Sequence, residues 1–225
     1  MGEAIGQLLP FAVGVAISPM PIVAMVLMLI TPKARSNGFS FIAGWLVGVA
    51  AAGAIALAIL GPTTTSDDGT TASGTYWLKI VLGVLLVGLA VKEWRARPAP
   101  DAEVPMPKWL GMLDGFTPIK AGGLAILLSA LNPKNLVFII GGATAVSQFD
   151  LSAGEQAGAW AVFTIIATVG VAIPMAIYLF MGARAAATLE SLKDWMARNN
   201  TAVMAVLLLV IGIKLIGDAI TGLSA

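Results

Sequence analysis

The sequence predicts an all-α polytopic membrane protein with six transmembrane helices, arranged as a 3+3 inverted repeat. Composition predicts the membrane, because 58% of the 225 residues are hydrophobic and only 11% are charged, whereas soluble domains carry roughly 25% charge. Self-similarity between the two halves predicts the repeat. Only helices and closed barrels satisfy their backbone hydrogen bonds in hydrocarbon, and apolar runs as long as these indicate helices.

Six apolar runs are long enough to cross a bilayer, which takes about 20 residues each. The predicted spans are 5–31, 39–61, 76–94, 121–147, 157–181 and 201–222. The first run is too long for the apolar region of a signal peptide and has no basic segment before it, so we expect it to remain in the protein. A Pro-rich cytoplasmic linker, 95–120, separates the first repeat, 1–94, from the second, 121–225.

The distribution of Lys and Arg predicts the orientation in the cytoplasmic membrane. The first, third and fifth connecting loops contain basic residues, and the second and fourth contain none. Because basic loops remain in the cytoplasm, both termini are expected on the extracytoplasmic side. Apolar residues of the fifth loop share one helical face, which predicts either an amphipathic helix on the membrane surface or a packed connecting helix. These are Leu189, Leu192, Trp195 and Met196.

The two halves correspond most clearly where residues 16–23 align with residues 130–137, because Ala, Pro and Val coincide and a small polar residue precedes each aligned Pro. Proline breaks a helix, so the first and fourth spans are expected to be interrupted in mid-membrane. Such paired interruptions indicate a transporter binding site; plain structural kinks are the alternative. The candidate substrate-binding residues are Ser18, Pro19, Met20, Pro21, Asn132, Pro133, Lys134 and Asn135.

Lys134 is the most informative of these residues, since a charged side chain near the midplane costs about 2.5–3.5 kcal/mol. No acid lies near the middle of spans one, two, four or five, so Lys134 is expected to have no counter-ion in the protein and to contact an anionic headgroup. Snorkelling or pairing with a helix-end carbonyl is the alternative. Candidates for a cytoplasmic gate, with a solvated loop as the alternative, are Lys33, Arg35, Asp114 and Lys120.

Several smaller patterns limit the function or predict packing. The chain has no Cys and no His, so no metal and no cofactor are expected, and the near-balance of 13 basic and 12 acidic residues argues against a nucleic-acid partner. Gly44 and Gly48 form a small-residue face for helix packing within one protomer or in a homo-oligomer. Lys214 and Asp218 are spaced to form an ion pair.

Two stretches carry a family resemblance. Residues 31–48, with Thr31-Pro-Lys-Ala-Arg-Ser-Asn-Gly38 and Gly44-Trp45, and residues 115–135, with Asn132-Pro-Lys-Asn135, resemble the mycobacterial glycolipid-addressing proteins, which include the peptidoglycolipid- and sulfolipid-addressing proteins of the lysine-exporter superfamily. The resemblance implies the 3+3 fold and a role in moving an envelope glycolipid across the cytoplasmic membrane. Amino-acid exporters of that superfamily have a Pro-Gly-Pro motif where this chain has Pro19-Met20-Pro21, which weighs against an amino-acid substrate.

The sequence leaves competing functions open. The first is a transporter or flippase for an anionic lipid or glycolipid, and the second is a non-transporting accessory subunit of a larger lipid-export complex. An exporter of a small amphiphilic solute such as an amino acid is a further alternative. An enzyme is not expected, because the chain has no nucleotide-binding loop and no midplane pair of carboxylates. A laterally open cavity at Lys134 would favour transport, and a solid bundle the accessory role.

Overall fold

The computed structural model describes residues 1–60, 70–97 and 115–224, and regular structure in these ranges is helical. The helices are α1 (Gly2–Ala16), α2 (Pro19–Leu29), α3 (Ala34–Leu60), α4 (Thr70–Arg95), α5 (Pro118–Ala130), α6 (Pro133–Val146), α7 (Ala153–Phe180) and α8 (Ala185–Ser224). A 3₁₀ turn, Gly182–Arg184, joins α7 to α8. Most of the predicted linker lies outside the described residues.

Several helices are suited to cross a membrane. Three helices are long and apolar enough to cross a membrane by themselves: Ala34–Ile59, Ala153–Phe180 and Gly182–Ser224. Two bent pairs add up to two more spans, since α1 and α2 meet at 49° and α5 and α6 at 60°. The described helices therefore fit a multi-pass membrane protein with three to five candidate spans. The predicted third span corresponds to α4, a 26-residue helix whose uncharged stretch lies between Lys79 and Lys92.

The predicted interruptions of the first and fourth apolar runs are confirmed. Helix α1 ends at Ala16 and α2 begins at Pro19, while α5 ends at Ala130 and α6 begins at Pro133. In both cases a proline occupies the first position of the new helix, where its missing N–H leaves no hydrogen bond unmade. The proline pattern thus marks true helix starts.

The last helix differs from the prediction, which placed a connecting loop at 182–200. Helix α8 is continuous over 40 residues. Its first half contains neither Gly nor Pro, and its apolar face packs on the bundle: Leu189 is buried, and Leu192 and Met196 are partly buried against the core. Trp195 points away and is 52% exposed. The packed connecting helix, continuous with the final span, is therefore the correct alternative.

Helices α3 and α7 run antiparallel and exchange hydrogen bonds through their tryptophans. The indole Nε1 of Trp45 donates to the carbonyl oxygen of Ala167 at 3.1 Å, and Nε1 of Trp160 donates to the carbonyl oxygen of Val49 at 3.4 Å. A buried indole N–H requires such an acceptor. The two bonds are reciprocal, because each helix provides one tryptophan and one backbone acceptor to the other.

The small-residue face on α3 packs inside the chain. Gly44 lies against the backbone of Gly122, and Gly48 lies against the Ser129 side chain, so closely that a Cβ at either glycine would collide with α5. Glycine allows the two backbones to approach, as in many membrane helix pairs. Of the two predicted uses of this face, the structure shows packing within one protomer.

Candidate functional site

The first break, between α1 and α2, is covered by protein. Ser18, Pro19 and Pro21 are buried. Helix α7 approaches the end of α1 so closely that a Cβ at Gly170 would overlap the carbonyl oxygen of Ala16. Ser18 is the N-cap residue of α2, but its side chain makes no capping hydrogen bond. The opened backbone at this break is therefore shielded mainly by packing against α7.

The second break, between α5 and α6, is held by two asparagines. Oδ1 of Asn132 accepts a hydrogen bond from the backbone N–H of Lys134 at 3.0 Å, and Nδ2 of Asn135 donates to the carbonyl oxygen of Leu128 at 2.9 Å. Both bonds satisfy groups that a helix end leaves unpaired. Asn135 is buried, and its Oδ1 has no hydrogen-bond partner among the described residues. Both asparagines thus bind backbone groups that the break leaves open.

The two breaks lie close together in the structure. Helices α1 and α6 pack with Gly14 against the ring of Phe138 and with the ring of Phe11 against Gly141. Residue numbers therefore rise along α1 from Phe11 to Gly14 while they fall along α6 from Gly141 to Phe138, as in an antiparallel helix pair. Continued by one more turn, this register brings the end of α1 to the first turn of α6. The end of α1, and with it the start of the first break, therefore lies near the first turn of α6.

Lys134 has a counter-ion, so the expectation that it lacks one is wrong. Its Nζ lies 2.7 Å from Oε1 of Glu93, with side-chain exposures of 31% and 16%. Glu93 belongs to the last turn of α4, which ends at Arg95. The amine therefore lies level with the end of α4 and not with its centre. In the sequence, Glu93 stands directly after Lys92 at the edge of a predicted span, and nothing local distinguishes it from a solvated charge.

The surface around the second break is apolar and exposed. Leu131 is 64% exposed and Leu127 is 53% exposed, and Pro133 is also exposed. The partly exposed Lys134–Glu93 pair therefore lies beside an exposed apolar surface.

Two apolar cavities lie along α7. The larger, of about 490 Å³, lies between α3 and the first half of α7 and is lined by Leu57, Trp160 and several alanines. The smaller, of about 180 Å³, borders the first break at Ile17 and the α8 residue Met196. Lys134 lines neither of them. Neither of these two cavities therefore opens at Lys134.

The gate candidates are not brought into ion pairs by the part of the chain that the structure describes. Lys33, Arg35 and Lys120 are exposed, and the ion pairs found among described residues do not include them. The ends of α3 and α5 that carry them do meet, because Nδ2 of Asn37 donates to the carbonyl oxygen of Phe116 at 3.1 Å. Asp114 lies outside the described residues. The gate stays a prediction.

Ligand-binding groups for a metal are not assembled either. Within the described ranges, no three side chains of His, Cys, Asp or Glu form a group that could hold an ion. The predicted pair of Lys214 and Asp218 is confirmed, with Nζ and Oδ2 separated by 2.6 Å. The same Nζ also donates to Oε1 of Gln7 at 2.6 Å, a contact between α8 and α1 that the sequence did not indicate.

The chain matches a known protein family over most of its length. No curated protein and no solved structure matches the chain. A family model described as Sap, sulfolipid-1-addressing protein, matches residues 8–221. The matched range includes the two helix breaks and also Glu93 and Lys134. It confirms the resemblance to glycolipid-addressing proteins. The chain belongs to the sulfolipid-1-addressing protein family.

Proposed function

We propose that this protein is a transporter or flippase that exports an anionic envelope lipid or glycolipid across the cytoplasmic membrane. The family model is named for a sulfolipid, a lipid whose headgroup carries a negative charge. The observation that carries the proposal is the Lys134–Glu93 pair at an exposed, apolar helix break. A lipid headgroup can reach the pair there while its acyl chains remain in the bilayer.

The proposed architecture is the six-span 3+3 inverted repeat of the lysine-exporter superfamily, with both termini outside and α4 as the third span. Three features support it: the paired breaks at Pro19 and Pro133, the reciprocal hydrogen bonds of Trp45 and Trp160, and the alternation of basic and non-basic loops. In this orientation, the end of α4 that carries Glu93 lies at the cytoplasmic side. Lys134 is then an entry site for the headgroup.

The ion pair supplies a chemical step for headgroup capture. The ammonium of Lys134 is held by one carboxylate oxygen of Glu93, and a sulfate, phosphate or carboxylate of the lipid presents the same type of acceptor. Exchange of Glu93 for the lipid anion keeps Lys134 neutralised throughout. The displaced Glu93 carboxylate, in the last turn of α4, is then neutralised by a proton or solvated by water at the helix end. Release of Glu93 from Lys134 also loosens α4 from α6, and this couples headgroup binding to helix movement.

A reconstitution experiment tests the proposal. Purified protein in liposomes is given fluorescent 3-O-sulfogalactosylceramide or its unsulfated parent, with and without a proton gradient, and movement between leaflets is measured by quenching from outside. Wild type should move the sulfated lipid preferentially, and Lys134→Met should lower the rate by at least about tenfold, the loss expected from one charge-assisted contact. Lys134→Arg should retain part of the activity.

The double variant Lys134→Met with Glu93→Gln separates a binding role from a structural role. Either single change leaves a partly buried group unpaired and should lower thermal stability, whereas the double change removes both charges and should restore stability. If Lys134 binds the headgroup, the double variant remains inactive. Full transport by the double variant would show that the pair is only structural. If wild-type protein alone moves no lipid although lipid export in cells requires it, the accessory role is correct.

A further inference from the structure

A second charged cluster lies at the other end of α4. Nζ of Lys79 donates a hydrogen bond to Oε1 of Gln148 at 2.8 Å. Gln148 lies in the segment after α6. Lys214 on α8 is bonded to Gln7 on α1 and to Asp218. This part of α8 packs on the Lys79 end of α4, because a Cβ at Gly83 would meet Ile216 and a Cβ at Gly222 would meet Tyr76. Four parts of the chain that are distant in sequence thus contribute two ammonium groups, one carboxylate and two amides to this end of the α4–α8 pair.

The charges in this cluster do not balance. Lys79 is 4% exposed, and among the described residues no carboxylate lies within 4 Å of its amine. The carboxylate found in the cluster among these residues, Asp218, is bonded to Lys214. The two lysines and one aspartate leave one net positive charge, whereas a charged lysine in a membrane protein is costly unless it is neutralised. Within the ranges that the structure describes, the cluster is therefore short of one negative charge.

The remaining hydrogen-bonding groups suit an anion. Both glutamines present their side-chain oxygen to a lysine, so their amide NH₂ groups remain as donors. Each ammonium also has donors beyond the bonds it makes here. Donors on two lysines and two amides match an oxyanion with several acceptor oxygens, such as sulfate, phosphate or carboxylate.

The cluster is well separated from the Lys134–Glu93 pair. Lys79 and Glu93 lie on the same helix, and the rise of 1.5 Å per residue places them about 21 Å apart along α4. This distance is most of the roughly 30 Å hydrocarbon thickness of a bilayer. On the proposed orientation, the cluster is near the extracytoplasmic end of the bundle.

We propose that the cluster of Lys79, Lys214, Asp218, Gln7 and Gln148 is a second binding site for one anionic oxygen group, and that it receives the lipid headgroup on the exit side. This inference rests on the proposed function, because it assumes that the headgroup leaves Lys134 and crosses to the far end of α4. The missing negative charge is then supplied by the substrate.

Binding measurements test this site independently of transport. Full-length protein in a neutral detergent is titrated with 3-O-sulfogalactosylceramide, with unsulfated galactosylceramide and with inorganic sulfate, and bound lipid is counted by native mass spectrometry. With the entry site removed by Lys134→Met in every protein compared, Lys79→Gln should weaken binding of the sulfated lipid by about tenfold, and Lys79→Arg should retain it. Lys92→Gln removes an exposed lysine from the same helix and serves as the matched control with unchanged binding.

A gain of affinity provides a second and sharper test. Asp218→Asn preserves shape but frees Lys214 from its carboxylate, so the variant should bind the sulfated lipid several-fold more tightly than the Lys134→Met parent. Unchanged binding in both Lys79→Gln and Asp218→Asn would overturn the site while leaving the role of Lys134 in transport intact. Should Lys79→Gln fail to fold, Asp218→Asn alone decides. Competition by inorganic sulfate at equal concentration would identify a free anion as the ligand and overturn the headgroup assignment.

Discussion

The residues before the two break prolines hold the same position but make different bonds. Asn132 accepts a hydrogen bond from the N–H of Lys134, whereas the side chain of Ser18 makes no capping bond to α2. The second break is also the exposed one, where packing cannot replace the missing hydrogen bond. A side-chain cap is therefore more important at Asn132 than at Ser18.

This difference predicts unequal effects of two matched substitutions. Asn132→Ala should destabilise the protein by about 1 kcal/mol, the usual value of an N-cap, because the Lys134 N–H loses its acceptor. Ser18→Ala should change stability by less than about 0.5 kcal/mol. Thermal unfolding of both variants in detergent measures the difference, and Asn132→Ser should recover most of the loss. Equal destabilisation by the two alanines would contradict the assigned caps.

Part of the candidate site could be predicted from single residues of the sequence, and part could not. Lys134, Asn132 and the break at Pro133 are visible from local pattern alone, because a polar residue, a proline and a lysine within an apolar run are each unusual. The partner Glu93 is not visible, since its contact with Lys134 depends on how α4 packs against α6. Lys79 was missed for a related reason: it lies near the end of an apolar run and looks like an ordinary flanking charge.

Among the helices, the type of residue before a proline distinguishes prolines that begin a new helix from prolines that lie inside a continuous one. Pro19, Pro118 and Pro133 each begin a helix, and Ser, Thr or Asn precedes them. Pro10 and Pro174 lie inside continuous helices and follow Leu and Ile. A small polar side chain can cap the new helix or allow the turn, and an apolar one cannot. The two interruptions were predictable on this basis, and the 40-residue continuity of α8 was not.

The contact of α7 with the first break predicts the effect of a single methyl group. Gly170→Ala should destabilise the protein by about 1–3 kcal/mol, the usual cost of overpacking, because its Cβ would overlap the carbonyl oxygen of Ala16. Gly123→Ala on α5 is the matched control, since nothing lies within 4 Å of its Cβ position. That change should leave stability equal or raise it by up to about 1 kcal/mol. Thermal unfolding of the two variants gives the comparison, and a Gly170→Ala protein as stable as wild type would disprove the close contact.

For the whole molecule, charge is concentrated at the two ends of α4 while the stretch between them is apolar. The Lys134–Glu93 pair lies at one end and the Lys79 cluster at the other. An anionic headgroup bound at either end has a positive group to neutralise it, and the middle has none among the described side chains of α4. On the proposed function, the headgroup would therefore meet one positively charged site at each end of α4.

For the whole molecule, we predict that the end of the bundle at Ser36 faces the cytoplasm and the end at Gly154 faces the outside. Helices α3 and α7 run antiparallel, so Ser36, near the start of α3, and Gly154, near the start of α7, lie at opposite ends of the bundle. Lys33 and Arg35 stand beside Ser36, whereas Asp150 and Glu155 stand beside Gly154. Basic residues mark the cytoplasmic side.

Single cysteines in this Cys-free chain test that orientation without background labelling. Ser36 and Gly154 are both exposed, and nothing lies within 4 Å of a Cβ at Gly154. Ser36 is preferable to its neighbour Asn37, which is buried. A membrane-impermeant maleimide should label Gly154→Cys in intact cells and Ser36→Cys only after lysis. The reverse pattern would place the Lys79 cluster at the entry side and Lys134 at the exit. Labelling of both from one side would mean that α3 and α7 do not both span the membrane.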